Sequence, residues 1–114
     1  MVEIAVVLDE TGSLSRLNMK GHAGYGNTGS DPACAAVTLM ARTVARLIRG
    51  RTGWTVDGQA ADPGNLFLDI ISRPEDTDEW LAGVTETFLL ALADIDREYP
   101  ESISVSLEEK NHGS

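Results

Sequence analysis

Cysteine is almost absent: Cys34 is the single one in 114 residues, which excludes an internal disulfide. A lone thiol stays free in a reducing compartment. Long apolar runs are missing too, so no stretch has the length to span a bilayer. The opening Met1-Val2-Glu3-Ile4 is acidic and strand-like, unlike a secretion signal, and the expected location is the cytoplasm. Basic residues are few, 9 Lys and Arg against 18 Asp and Glu, for a net charge of −9. That balance argues against a nucleic-acid surface, because phosphate contacts need clustered cations. No Gly-Lys-Ser or Gly-Lys-Thr follows the glycines, which removes the usual phosphate cradle. One cysteine and two scattered histidines lack the spacing of metal ligands, so neither a metal nor another cofactor is expected.

What remains is an ordinary globular composition, with 42% hydrophobic and 24% charged residues. A chain of this length buries roughly two-thirds of its unfolded surface. No linker or internal repeat divides it, so one domain is expected over residues 1–109, with a flexible tail at 110–114. Most of the acids lie from Asp57 onward. They read as a solvated face that keeps the protein soluble or, more sharply, as a field that draws in a basic partner.

Val2, Ile4, Val6 and Leu8 alternate with Glu3, Ala5, Val7 and Asp9, the period of a half-buried strand. Glu10-Thr11-Gly12-Ser13 supplies a turn, and Leu17 and Met19 carry the apolar side of a second strand, which predicts a hairpin. Beyond a glycine-rich stretch, Val37, Met40, Ala41, Val44, Leu47 and Ile48 recur at helical spacing, with Arg42, Arg46 and Arg49 opposite and Gly50 as the stop. Trp54 and Val56 mark a third strand. Leu66 to Ile71 is a fourth, whose partly continuous apolar run predicts a central place, packed on both sides or covered by a partner. Pro74-Glu75-Asp76-Thr77 is the expected start of a second helix. Its buried stripe is Leu81, Val84, Phe88, Ala91, Leu92, Ile95 and Tyr99, and Pro100 ends it. Ile103, Val105 and Leu107 alternate with serines in a last strand with one wet face, and the chain is expected to fray from Glu108. The order ββαββαβ predicts an α+β two-layer fold, a mostly antiparallel sheet with two helices on one face. The sheet's other face would then find its cover in a second copy.

The stretch from Gly21 to Cys34 concentrates the chemistry. It holds Cys34, His22 and the glycines Gly21, Gly24, Gly26 and Gly29, and it runs straight into the first helix. Asp31-Pro32 reads as the helix start, since a residue before proline avoids the α region and proline suits the first helical position. With Asp31 as the N-cap, Cys34 falls in the first turn, where unpaired N–H groups and the helix dipole favour a negative charge on sulfur. A lone cysteine three residues before Val37 also fits a small buried hydrophobe. Its place in the first turn, after a glycine-rich loop, favours the nucleophile. His22 is either the base for that thiol or a surface imidazole, while His112 has no companions in the tail. Asp31 either caps the helix or orients His22, and the cap is the stronger reading. Thr38, one turn on, lines the site or bonds back to its own helix. The four glycines leave little bulk, which suits a lid that closes on an extended peptide.

Gly21-His22-Ala23, followed by Gly29-x-Asp31-x-x-Cys34-Ala35-Ala36-Val37-Thr38, closely resembles the ribosomal-processing cysteine proteases. The element order and the late Glu98-Tyr99-Pro100-Glu101 before a strand extend the likeness over nearly the whole chain. The resemblance implies a bacterial cytoplasmic cysteine endopeptidase. Such an enzyme removes the N-terminal extension of a large-subunit ribosomal protein, cutting after an apolar segment that contains aromatics. It also implies a homodimer, with Cys34 and His22 as the catalytic pair. Asp31 matches a family aspartate, and Thr38 stands where the family often has serine. Pro32-Ala33 replaces a β-branched pair, which stiffens the helix entry and keeps the spacing. The backbone N–H groups of Cys34 and Ala35 are candidates for stabilising an oxyanion. Two other classes fit the residues: a non-enzymatic acidic dimer that binds or chaperones a ribosomal protein, and another thiol enzyme such as an acyltransferase or thioesterase.

Overall fold

The alternation that opens the chain forms a central part of the core. A computed structural model describes residues 1–21, 32–60 and 65–110, and the elements follow in the expected order. They are β1 (Val2–Leu8), β2 (Leu14–Lys20), α1 (Pro32–Arg49), β3 (Thr55–Gln59), β4 (Asn65–Ser72), α2 (Asp78–Glu98) and β5 (Ile103–Glu109). The five strands make one sheet in the order β3-β4-β2-β1-β5. Only the β1–β5 pair is parallel, so the sheet is mostly antiparallel, with both helices on one face.

Period two sorts the side chains between the two faces. Val2, Ile4, Val6 and Leu8 of β1, Leu17 and Met19 of β2, and Leu66, Leu68 and Ile70 of β4 are buried beneath the helices. Ala33, Val37, Ala41, Val44, Ala45 and Ile48 of α1 and Leu81, Phe88 and Leu92 of α2 close the core from above. At about 25 cal/mol per Å² of apolar surface, burial of this one face is the main source of stability. No helix among the described residues is long and apolar enough to cross a membrane.

Several local expectations are corrected. The helix α2 begins at Asp78, not at Pro74. Residues Pro74 to Thr77 form a turn in which Asp76 adopts φ 65° and the Thr77 hydroxyl donates to the Pro74 carbonyl at 2.7 Å. That hydroxyl also accepts from Arg73 at 2.8 Å and caps no helix N–H. Strand β4 is an interior strand, and within one chain it packs on one face: Phe67 and Asp69 are half-buried and Ile71 is exposed, so the expected packing on both sides is not met inside the chain. In β5 only Ile103 is buried, and Val105 and Leu107 stand exposed beyond the reach of α2. Leu47 and Tyr99 are exposed rather than part of their stripes. Fraying does not begin at Glu108. Glu108 and Glu109 pair with Val7 and Leu8, and the Lys110 N–H donates to the Leu8 carbonyl at 2.7 Å. The remainder of the expected tail, 111–114, lies outside the described residues.

The sheet's second face is polar, not apolar. Arg16 pairs with Asp69 on it at 3.4 Å, and Glu3, Asn18 and Lys20 project from the same side. Of the large exposed apolar side chains, Leu39 (69% exposed), Leu47 (48%) and Leu90 (62%) lie on the helical layer and Ile71 (59%) on the sheet's open face. A second copy on the sheet's other face would meet a mostly polar surface.

Candidate active site

Cys34 is the third residue of α1, in its first turn, as the Asp31-Pro32 start predicts. Its neighbours set its exposure. Ala33 and Val37 are completely buried against the sheet and Ala35 is exposed, so Cys34 falls at the boundary and is half-buried. It packs against the core on one side and keeps a way out to solvent on the other. A sealed structural cysteine would look different. The first turn of α1 carries no acidic side chain.

The strand register fixes which end of the sheet this is. β3 begins opposite the end of β4, with Thr55 beside Ser72, while β2 ends beside the start of β4, with Lys20 opposite Asn65. Helix α1 leads into β3 through a short turn, so its C-terminus lies at the Ser72 end. At 1.5 Å per residue its 18 residues span about 27 Å, which returns its N-terminus to the Lys20 end. Cys34 and the end of β2 therefore share one edge of the molecule. β2 is the middle strand of five, and Gly21, half-buried, continues it directly into His22.

Of the other expected site residues, Thr38 is half-buried one turn beyond Cys34, and Ala35 is exposed beside it. The threonine that bonds back to its own helix in α1 is Thr43, whose hydroxyl donates to the Leu39 carbonyl at 2.7 Å. His22, Gly24, Gly26, Gly29 and Asp31 lie outside the described residues, and so does His112. The approach of imidazole to sulfur and the capping of α1 by Asp31 are thus not part of the described geometry. No group of three His, Cys, Asp or Glu side chains converges on a metal position among the described residues.

Sequence pattern misses what strand pairing assembles at the same edge. Asn18 of β2, Gln59 of β3 and Asn65 of β4 surround a hollow of about 270 Å³ on the open sheet face. They are far apart in the chain, and no periodicity links them. The apolar groove of about 530 Å³ between α1 and α2 is also invisible to a one-stripe reading of each helix.

Known proteins share both sequence and fold with this chain. The family model described as cysteine protease Prp matches residues 1–104. The ribosomal processing cysteine protease Prp of Staphylococcus aureus is 28% identical over 106 residues, covering 93% of this chain and 98% of that protein. Among solved structures, SMU.848 from Streptococcus mutans superposes with a TM-score of 0.76 at 25% identity, covering 96% of each chain. The essential ribosomal processing protease Prp from S. aureus, in complex with a covalently linked product peptide, gives a TM-score of 0.72 at 25% identity. That match covers 96% of this chain and 100% of the other.

Proposed function

We propose, from the premise that this chain belongs to the cysteine protease Prp family and is a cysteine endopeptidase, that Cys34 and His22 cut an N-terminal arm from a large-subunit ribosomal protein. The observation that carries this reading is the half-buried Cys34 in the first turn of α1, at the edge where β2 runs through Gly21 into His22. His22 takes the thiol proton, and the Cys34 sulfur attacks the scissile carbonyl carbon. The oxyanion that forms is held by first-turn backbone N–H groups, those of Cys34 and Ala35. His22 returns its proton to the departing amine, leaving a thioester on Cys34. Water then adds to the thioester carbonyl, its proton passing through His22 to the sulfur, and the peptide leaves as a carboxylic acid. Asp31 and Thr38 support the pair, and the segment with Gly24, Gly26 and Gly29 closes over the peptide. The reaction needs no cofactor and takes place in the cytoplasm.

A basic ribosomal substrate suits an enzyme of net charge −9. The relative solved with a covalently linked product peptide is described as a ribosomal processing protease, which supports the same reading.

The proposed homodimer finds support in the helical layer. Met40, Thr43 and Leu47 on α1 face Gly83, Val84 and Thr87 on α2 across the apolar groove, and Leu39 and Leu90 stand exposed on the same two helices. The hydroxyls of Thr43 and Thr87 donate to Leu39 and Gly83 carbonyls of their own helices, leaving methyl groups for contact. α1 carries Arg42, Arg46 and Arg49 and no acid, whereas α2 carries Asp78, Glu79, Glu86, Asp94, Asp96 and Glu98 against Arg97. A two-fold axis parallel to the helices sets α1 of one protomer on α2 of its partner, joining opposite charges. An axis across the helices would set like on like.

Incubating the protein with the extended ribosomal protein tests the central claim. Wild type is expected to release the arm. Cys34→Ser and His22→Ala are each expected to lose at least about a thousandfold in rate, as removal of one member of a catalytic unit does. Rapid alkylation of Cys34 at neutral pH that depends on His22 is the companion result. Equal survival of the substrate with all three proteins refutes the reading.

A further inference from the structure

We infer that the open face of the sheet, at the Cys34 edge, is a docking trough for the substrate polypeptide beyond the residues held at the sulfur. This rests on the proteolytic reading above and extends it to a second contact surface. Strand pairing lays out the surface in two transverse rows. One runs Gln59, Phe67, Asn18, Ala5, Ser106, and the next, nearer the edge, Asn65, Lys20, Glu3, Ser104. Ala5, Ser104 and Ser106 are small, so the surface dips over β1 and β5 into a hollow of about 280 Å³. Asn18 and Lys20 border this hollow and also the one of about 270 Å³ over β3 and β4, making a single trough across the sheet. On the far side a charged row closes it: Arg16 binds Asp69 at 3.4 Å and lies 6.0 Å from the centre of the Phe67 ring.

The chemistry of the trough selects its occupant. Asn18, Gln59 and Asn65 each offer an amide donor and an acceptor, and none bonds to another described residue. An array of free amides beside one half-buried ring pairs with the backbone of an extended polypeptide and makes little demand on its sequence. The face is mostly polar, whereas homodimer interfaces are more apolar than the average surface. Its position joins it to the site, because Lys20 and Gly21 lead directly into His22.

Reach gives the proposal a length scale. A helix packed on a sheet lies about 10 Å from it, roughly three extended residues at about 3.3 Å each. Crossing five strands adds four spacings of about 4.8 Å, or roughly six residues more. Peptides copied from the precursor, with about three to twelve residues on either side of the cut bond, therefore form the test. In wild type kcat/KM is expected to rise about tenfold, through KM, once one arm exceeds about four residues. The rise is expected to vanish in the triple variant Asn18→Ala, Gln59→Ala, Asn65→Ala, and in Ser106→Tyr, which fills the hollow. The shortest peptides should be cut equally by all forms, with unchanged thermal melting. A rise that survives in both variants, an absent rise in wild type, or an equal loss on long and short peptides overturns the trough while cleavage stands. Wild type that cuts neither peptides nor precursor overturns the proteolytic reading itself, and the trough with it.

Discussion

Burial by itself would raise the pKa of the Asp9 carboxyl, but its partners outweigh that effect. The hydroxyl of Thr11, the N–H groups of Ser13 and Thr11, and the Arg73 guanidinium hold it below its usual 3.8. The sign of the consequence follows from linkage. The unfolded chain protonates first, so the stabilisation is complete above the ordinary aspartate range and is lost as pH falls below 3.8 toward the lower folded-state value. Asp9→Asn is expected to lower stability at pH 7 by about 1–2 kcal/mol and to flatten the acid limb of the curve. Denaturant titrations of both proteins between pH 3 and pH 7 check this, and parallel curves refute it. Arg73 also binds Asp78 at 2.7 Å, so this one cluster ties the β1–β2 turn to the start of α2. Thr85 makes a second tie, accepting the Leu14 N–H at 2.9 Å inside the core.

At the scale of elements, the turns carry most of the local strain. Glu101 adopts φ 68° between α2 and β5, where the Ser102 N–H reaches back to the Tyr99 carbonyl at 3.2 Å. A side chain costs roughly 1–2 kcal/mol in that conformation, and glycine avoids the cost while adding unfolded-state entropy. Glu101→Gly is therefore expected to stabilise by about 0.5–1 kcal/mol, a rise of several degrees in Tm for a domain of this size. A calorimetric melt that shows a drop instead would mean the Glu101 side chain contributes more than its backbone loses. The turn after α1 is held by stacking. Arg51 lies 3.9 Å from the Trp80 ring centre and 5.6 Å from that of Trp54, and the two rings meet edge to face at 5.6 Å. Among the described residues its buried Nε has no hydrogen-bond partner, a cost the stack offsets.

For the molecule as a whole, charge and apolar surface are segregated by layer. The helical layer holds the groove, a basic α1 and an acidic α2, while the sheet's open face is polar. If the helical layer joins two copies, Leu39→Glu and Leu90→Glu are each expected to shift sedimentation from dimer to monomer. Stable interfaces bury about 800 Å² on each partner, and a carboxylate at the centre of such a patch is costly to desolvate. A monomeric wild type at micromolar concentration, or variants that stay dimeric, removes the helical layer as the interface.

Pattern and spacing were enough for the class of the fold and for the place of Cys34 in the first turn of α1. The alternation of β1, the stripe of α1 and the Asp31-Pro32 start are local, and local periodicity decides which face a side chain occupies. The half-buried Cys34 follows from them, since three residues of helix place it between buried Ala33 and exposed Ala35. Strand order, the parallel placement of β5 and the one-sided packing of β4 depend on pairings between distant residues, which no short window contains. The same is true of the Asn18–Gln59–Asn65 trough and of the groove between the helices. Covalent neighbours determine periodicity; contacts between elements determine which surfaces meet and which are left open, and only the folded chain settles those.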